Sequence, residues 1–133
     1  MFAYSAQIFL HHTDAAGRLF FANQFYLMHE AMEKFMESLG LPIEKFLNGN
    51  PDLSFPLVHA EADYKALLAA GDRISIEVSI DKIGETSVHF IYAIRKTDGT
   101  LAGSGKTVNV SVNKTTGQKT KLPQDWLEKL KNA

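Results

Sequence analysis

The stretch HHTDAAGRLFFANQFYLMHEAMEKFMESLG, residues 11–40, decides the fold of this chain. Its first part is polar, and Gly17 permits a sharp reversal of the backbone. From about Phe21 onward, apolar residues recur at spacings of three and four, which predicts one long amphipathic helix. Asn23 is expected to cap the start of this helix, and Gly40 is expected to end it in a left-handed conformation.

Strands are predicted on both sides of the helix. They are expected where the sequence is apolar and β-prone or alternates between apolar and polar residues, at about 3–10, 53–65, 73–80, 88–94 and 101–113. Asp98-Gly99 predicts a tight hairpin between the last two of these strands. Short helices are expected from Pro42 to about Leu47 and from Pro123 onward.

One long helix cannot cover both faces of a sheet of four or more antiparallel strands. The order of elements therefore predicts an α+β fold, with a curved antiparallel sheet wrapped around one central helix. At 133 residues the chain is expected to form a single domain, residues 1–133. The remaining apolar surface, or a sheet edge, is expected to be buried against a second copy.

The composition excludes several classes of function. The net charge of −1 gives no electrostatic case for nucleic acid, although residues 66–133 carry ten basic and seven acidic residues, so a small basic patch for a phosphorylated molecule is conceivable. The absence of cysteine excludes a disulfide scaffold, a thiolate nucleophile and a cysteine-based zinc site. No apolar run is long enough to span a membrane, and the N-terminal residues show no signal-peptide pattern. A cytoplasmic protein is therefore expected.

The loop from Thr13 to Phe21 has the pattern Asp-x-x-Gly-x-x-x-aromatic. It resembles the signature of the 4-hydroxybenzoyl-CoA-type thioesterases, which have the hotdog fold, and residues 23–25 and 30–31 fit the same pattern. Three further segments resemble most the branch of 1,4-dihydroxy-2-naphthoyl-CoA hydrolases: 55–60, 70–74 and 122–126. The resemblance covers nearly the whole chain.

This resemblance implies an acyl-CoA thioesterase that releases an aromatic acid and CoA, with 1,4-dihydroxy-2-naphthoyl-CoA as a candidate substrate. It implies a homodimer or homotetramer. The implied reaction requires no metal or redox cofactor. CoA is part of the substrate and not a cofactor. Two alternatives stay open: a broad thioesterase for fatty acyl-CoA or acyl-carrier protein, and a non-catalytic module that binds acyl-CoA.

Asp14 and Phe21 are the catalytic residues that the resemblance implies. The Asp14 carboxylate would act as nucleophile or general base, and the backbone N–H of Phe21 would polarise the thioester carbonyl, since the start of a helix offers free N–H groups. The alternatives are a local turn held by the Asp14 side chain and a core position for the Phe21 ring.

Substrate contacts are expected elsewhere. His59 follows an apolar run and is a candidate to bind a hydroxylated aromatic ring, the alternative being an ordinary strand histidine. Polar and basic residues are candidates to bind CoA, the alternative for each lysine being ordinary surface charge: Thr86, Ser87, Lys106, Lys119 and Lys121.

Other polar groups near the loop are weaker candidates. One of His11 and His12 is expected to face the site, but their spacing with Asp14 suits no defensible metal ligand set. Glu30 lies near the apolar stripe and is an alternative carboxylate that could reach a neighbouring subunit's site. Glu33 is expected on a solvated helix face.

Overall fold

The computed structural model of the protein describes the backbone of residues 1–133 and the side chains of all of them except Phe46 and Leu47. Its elements follow in this order: β1 (Phe2–Gln7), a 3₁₀ turn (Leu10–His12), α1 (Phe21–Ser38), α2 (Ile43–Asn48), β2 (Leu53–Ser54), β3 (Leu57–Tyr64), β4 (Arg73–Ile83), β5 (Ser87–Lys96), β6 (Leu101–Val110), β7 (Val112–Asn113) and α3 (Gln124–Lys131).

Five strands form one antiparallel sheet in the order β1-β4-β5-β6-β3. Alternate side chains of β4 and β5 are buried on one face, as the period of two predicts: Ile74, Ile76, Val78, Val88, Phe90, Tyr92 and Ile94. Helix α1 packs on this face, where the rings of Phe35 and Phe90 meet edge to face with their centroids 6.2 Å apart, within the range of about 4.5–7 Å that is typical of aromatic pairs. The predicted α+β hotdog architecture is confirmed.

Two glycines of β6 allow α1 to lie close to the sheet. A Cβ at Gly103 would lie 2.8 Å from Nε2 of Gln24, and a Cβ at Gly105 would lie 2.5 Å from Sδ of Met28. Any larger residue at these positions would push the helix side chains away. Glycine weakens a strand, but here it sets the distance between the helix and the sheet.

The ends of α1 differ in how well the sequence predicted them. Gly40 adopts φ +84°, and Leu41 N–H donates to Met36 O at 2.9 Å, so the predicted left-handed end is confirmed. The predicted N-cap is wrong. The helix begins at Phe21 with Phe20 at the cap position, and the Asn23 side chain instead donates to the His12 carbonyl at 2.8 Å.

The strand boundaries differ most at three places. β1 ends at Gln7 because a 3₁₀ turn follows, in which His12 Nδ1 accepts the Phe9 N–H at 2.9 Å. The strand predicted at 53–65 divides into β2 and β3, and the one predicted at 101–113 divides into β6 and β7. β2 and β7 form a small second sheet. The hairpin predicted at Asp98-Gly99 is confirmed, with Gly99 at φ +88°.

β3 lies at one edge of the large sheet. One of its sides pairs with β6, and no other strand of the described chain pairs with its second side. Residues 57–61 are exposed, among them the apolar side chains of Leu57 and Val58. Within the described residues, no helix has both the length and the apolar character needed to cross a lipid bilayer.

Candidate active site

A tight loop holds Asp14 next to the start of α1. Thr13 and Leu19 form an antiparallel bridge across this loop. Asp14 N–H donates to the Arg18 carbonyl at 2.8 Å, and Gly17 N–H donates to the Asp14 carbonyl at 3.0 Å. Gly17 adopts φ +77°, a conformation that costs glycine little, so the predicted reversal occurs there.

The two oxygens of the Asp14 carboxylate have different surroundings. Oδ1 accepts the N–H groups of Ala16, at 2.8 Å, and of Arg18, at 3.3 Å, which closes the local turn. Oδ2 has no hydrogen-bond partner among the described residues. The turn and a reactive role are therefore compatible, because one oxygen fixes the side chain and the other stays available.

The first turn of α1 offers backbone N–H groups that nothing else uses. Phe20, at the cap position, has no side-chain oxygen to accept them. In the part of the chain that the structure describes, no acceptor is bound to the N–H of Phe21 or Ala22. Such groups carry the positive end of the helix dipole, so they favour an oxygen that develops negative charge.

Tyr64, the last residue of β3, fixes this helix start from the opposite side. Its hydroxyl donates to the Phe21 carbonyl oxygen at 2.8 Å. Partial burial raises the pKa of Tyr64, so the phenol keeps its proton and acts as a donor at neutral pH. The hydrogen bond ties the first peptide of α1 to the edge strand.

Asp14, Phe21 and Tyr64 line one cleft of about 460 Å³. Arg18 and Gln24 add polar groups, and the rest of the lining is mostly apolar: Leu19, Phe20, Ala66, Leu67 and Leu68. The structure thus brings together the two residues predicted to be catalytic. A carboxylate oxygen and a helix N–H beside an apolar cavity suit the polarisation and attack of a carbonyl group.

Gln24 is a buried polar residue of this cleft to which the sequence analysis assigned no role. Its side chain is 1% exposed, and Nε2 donates to the carbonyl oxygens of Asp63, at 3.1 Å, and Ser104, at 3.3 Å. A signal was present in the sequence. Gln24 precedes Leu27 and Met28 by three and four residues, so it occupies the apolar stripe of the helix, where a polar side chain is buried.

His59 does not reach the Asp14 cleft within one chain. Ala62 pairs with Gly105, which lies against Met28, so Ala62 faces the helix. His59 lies three residues earlier on β3 and faces the other side of the sheet. There its Nε2 lies 2.9 Å from Oε1 of Glu61. Because the His59 side chain points away from the helix, it cannot contact an acyl ring held at Asp14 of the same chain.

The residues predicted to contact CoA also lie away from Asp14 in one chain. Four of them gather where β4 ends and β5 begins, joined by backbone hydrogen bonds from Ser111 to Thr86 and from Thr120 to Ser111: Thr86, Ser87, Lys119 and Lys121. The fifth, Lys106, lies within β6, where its Nζ donates to Asp81 Oδ2 at 3.3 Å. The Asp14 loop is bonded to Leu68, near the start of β4. β4 spans 11 residues, roughly 35 Å in an extended strand.

His11 and His12 line a different cavity, of about 660 Å³, together with Glu30, Arg73 and Lys96. The expectation that one histidine faces the Asp14 site was wrong, because the 3₁₀ turn directs both away from it. Burial, and then the neighbouring His11, lower the pKa of His12.

The remaining carboxylates also lie outside the Asp14 cleft. Glu30 Oε2 accepts the Tyr4 hydroxyl at 3.4 Å, and Glu33 lines a small cavity beside Met32 and Met36. Among the described side chains, no three histidine or acidic residues are placed to hold a metal ion.

The sequence is similar to those of a known family of thioesterases. A family model described as the thioesterase-like superfamily matches residues 9–130. The chain is 32% identical to the 1,4-dihydroxy-2-naphthoyl-CoA hydrolase of Synechococcus elongatus over 119 residues, 87% of each chain. It is also 32% identical to the hydrolase of that name from Rippkaea orientalis, covering 98% of this chain and 95% of the relative.

Solved structures of thioesterases have the same fold as this chain. A 1,4-dihydroxy-2-naphthoyl-CoA thioesterase from Synechocystis superposes with a TM-score of 0.92 at 28% identity, covering 98% of this chain and 96% of the other. A gentisyl-coenzyme A thioesterase superposes with a TM-score of 0.86 at 26% identity, covering 96% and 98%. The predicted enzyme class, a thioester hydrolase, is confirmed at the level of the family. The chain belongs to the thioesterase-like superfamily.

Proposed function

We propose that the protein hydrolyses the thioester bond of an aromatic acyl-CoA and that 1,4-dihydroxy-2-naphthoyl-CoA is its first candidate substrate. One observation carries the proposal: the unpartnered Oδ2 of Asp14 and the unpartnered N–H of Phe21 line the same largely apolar cleft. The names of the relatives support the aromatic acyl group. A cytoplasmic location is part of this proposal, on the sequence features given above.

The reaction needs only groups of the chain and water. Asp14 Oδ2 takes a proton from water while the water oxygen attacks the thioester carbon, and Phe21 N–H donates to the carbonyl oxygen as it becomes negative. The C–S bond then breaks, and the CoA thiolate takes up the proton. In the alternative course, Oδ2 attacks the thioester carbon itself, and the C–S bond breaks with release of the CoA thiolate. Water then hydrolyses the resulting anhydride, which frees the acid, restores the Asp14 carboxylate and supplies the proton that the thiolate takes up. Neither course requires a metal or redox cofactor.

The proposal includes a homo-oligomer of at least two copies. The free side of β3 exposes backbone donors and acceptors, which proteins normally cover. Leu57 and Val58 are exposed along it. Tyr26 of α1, 69% exposed, lines a cavity together with Leu57 and Ala60 of β3. A second copy that adds its own β3 in antiparallel orientation would cover the backbone groups and this apolar surface together.

Such a dimer would also bring the predicted CoA-binding residues, which lie far from Asp14 in one chain, close to Asp14 of the second chain. In an antiparallel pair related by a two-fold axis, the Leu57 end of one β3 lies beside the Tyr64 end of the other. The far end of a second sheet, which carries Thr86, Ser87, Lys119 and Lys121, would then lie at the same end of the assembly as Asp14. The CoA moiety would cross the interface between the copies.

Hydrolysis is tested with purified protein, a panel of acyl-CoA substrates and an assay for the released thiol. The proposal expects the highest kcat/KM for aromatic acyl groups, including 1,4-dihydroxy-2-naphthoyl-CoA. A preference for long straight chains would instead show a fatty acyl-CoA thioesterase. Tight binding of the whole panel without release of thiol would show a non-catalytic acyl-CoA-binding module.

The oligomer is tested separately by light scattering coupled to size exclusion. A mass of two or four chains supports the composite site. A stable monomer with full activity would refute it, because the predicted CoA contacts would then lie too far from Asp14.

A further inference from the structure

We infer that Gln24 makes the enzyme prefer acyl rings that carry a hydroxyl group, by accepting a hydrogen bond from that hydroxyl at Oε1. The inference rests on the proposed function, because it concerns the acyl pocket of the same cleft. It gives Gln24 the role that the sequence suggested for His59, which lies on the other face of the sheet.

The orientation of the Gln24 amide follows from its partners. Both groups that lie near Nε2 are carbonyl oxygens, those of Asp63 and Ser104. A carbonyl oxygen only accepts, so the nitrogen of the amide must face them and the oxygen must point elsewhere. The two carbonyls belong to paired residues of β3 and β6, which fixes the amide at the edge of the sheet.

Oε1 is left as an acceptor without a donor. No side chain or backbone group that the structure describes donates to it. The side chain is 1% exposed, and it lines the cleft that contains Asp14 and Phe21. An acceptor in a largely apolar cleft gains from a partner, so a ligand that supplies a donor binds better than one that does not.

The chemistry of the cleft limits the donor. Its wall is mostly apolar and suits the ring of an aromatic acyl group. A hydroxyl group on that ring is a donor attached to an apolar body, and the named relatives act on a dihydroxynaphthoyl and a gentisyl thioester. A bound water molecule is the other candidate donor, but it would give no preference between rings with and without a hydroxyl.

Gly103 provides a second way to disturb the same group. An ideal Cβ at this position would lie 2.8 Å from Nε2 and 2.9 Å from Oε1 of Gln24. The Gly103→Ala change therefore displaces the amide while Gln24 itself remains. It complements Gln24→Met, which keeps the length of the side chain and removes the amide.

The first experiment compares two substrates in each variant. The ratio of kcat/KM for 2,5-dihydroxybenzoyl-CoA to that for benzoyl-CoA is measured in the unchanged protein, in Gln24→Met, in Gly103→Ala and in the surface control Gln118→Met. We expect Gln24→Met to lower the ratio about tenfold or more, since sites that bind a substrate hydroxyl discriminate strongly. Gly103→Ala should lower it in the same direction, and Gln118→Met should leave it unchanged.

The ratio separates specificity from damage to the fold. A variant that is merely less stable loses activity on both substrates alike, and its ratio stays the same. Thermal unfolding of each variant shows that the compared proteins are folded. An unchanged ratio in folded Gln24→Met would overturn the inference, and this result is also the one expected if Oε1 only holds a water molecule.

A binding experiment makes the outcome independent of catalysis. Calorimetry gives the Kd of 2,5-dihydroxyphenacyl-CoA and of phenacyl-CoA, which carry a methylene between sulfur and carbonyl and cannot be hydrolysed as thioesters. We expect the dihydroxy compound to bind more tightly to the unchanged protein and to lose this advantage in Gln24→Met. If no thioester is hydrolysed, the proposed function fails, while this pair of ligands still decides the role of Gln24.

Discussion

Two cavities flank the segment between β1 and α1, and the smaller one is the better candidate for catalysis. The cavity beside β1 measures about 660 Å³ and contains two histidines, Arg73 and Lys96. The cleft that contains Asp14 measures about 460 Å³. In the larger cavity Tyr4 and Glu30 already bind each other. In the smaller cavity, the backbone fixes an acceptor, Asp14 Oδ2, and a donor, the Phe21 N–H, and neither has a partner among the described residues. Preorganised groups, rather than volume, identify the site.

The largest expected effect is that of Asp14→Asn. The amide keeps an oxygen that can close the local turn, but it can neither accept a proton from water nor attack the thioester. We expect kcat/KM to fall by about a hundredfold to ten-thousandfold, the usual contribution of a general base. Steady-state release of CoA checks this. A folded variant with nearly normal rates would remove Asp14 from the mechanism.

Phe21→Pro tests the backbone donor alone. Proline is favoured at the first position of a helix, and Phe20 has φ −68° and ψ 133°, the conformation that a residue before proline prefers. The change therefore removes one N–H and spares the helix. We expect kcat to fall about a hundredfold to a thousandfold, as when an oxyanion donor is lost.

The control for this variant is Phe21→Ala, which removes the exposed ring and keeps the N–H. If Phe21→Ala lowers kcat as much as Phe21→Pro does, the ring rather than the backbone carries the effect. Circular dichroism of both variants checks that α1 is intact.

A smaller effect is expected for Tyr64→Phe, which removes the hydrogen bond to the Phe21 carbonyl. One such bond contributes about 0.5–1.5 kcal/mol, so we expect kcat to fall roughly threefold to tenfold if that energy holds the helix start in place. KM should change less than kcat, because the phenol positions the donor and does not hold CoA. A change in KM alone would contradict the positioning role.

The smallest kinetic effect is expected in the larger cavity. His11→Gln and His12→Gln should leave kcat/KM within about twofold, as is usual for surface changes away from a site. A loss comparable to that of Asp14→Asn in either variant would reverse the comparison between the two cavities.

His12 should instead change how stability depends on pH. Its pKa is lowered from the ordinary value of 6.5, chiefly by burial. As the pH falls through 6.5, the unfolded chain gains a proton that the folded chain does not, so stability decreases. Thermal unfolding between pH 7.5 and 5.5 should show a smaller decrease in Tm for His12→Gln. His89, whose pKa is also lowered, is the same in both proteins and cancels in the comparison.

The sequence predicted those features that depend on local pattern. The period of the α1 stripe, the left-handed Gly40 and the turn at Gly17 all follow from the residues concerned. The start of α1 near Phe21 was predicted, but its N-cap was not, because the Asn23 side chain donates to the carbonyl of His12, which lies near it only after the chain has folded back.

The candidate site was only partly predictable for a related reason. Asp14 and Phe21 are close in sequence and in space. Tyr64 reaches the site through the pairing of distant strands, which no local pattern fixes. Gln24 lies on α1 near Phe21, but its amide is oriented by the carbonyls of Asp63 and Ser104 on two such strands. The side of the sheet that His59 faces depends on how β3 pairs with β6 after the irregularity between Leu57 and His59. A shift of one residue in this pairing would turn the His59 side chain to the opposite side.

The free edge of β3 has a consequence for how this protein should be handled. If its site is completed only when two edges meet, dilution separates the chains and weakens the fold and the activity together. Specific activity would then fall in very dilute assays and recover on concentration, and Tm would rise with protein concentration. A rate measured at nanomolar enzyme would describe the dissociation of the subunits as much as the chemistry of Asp14.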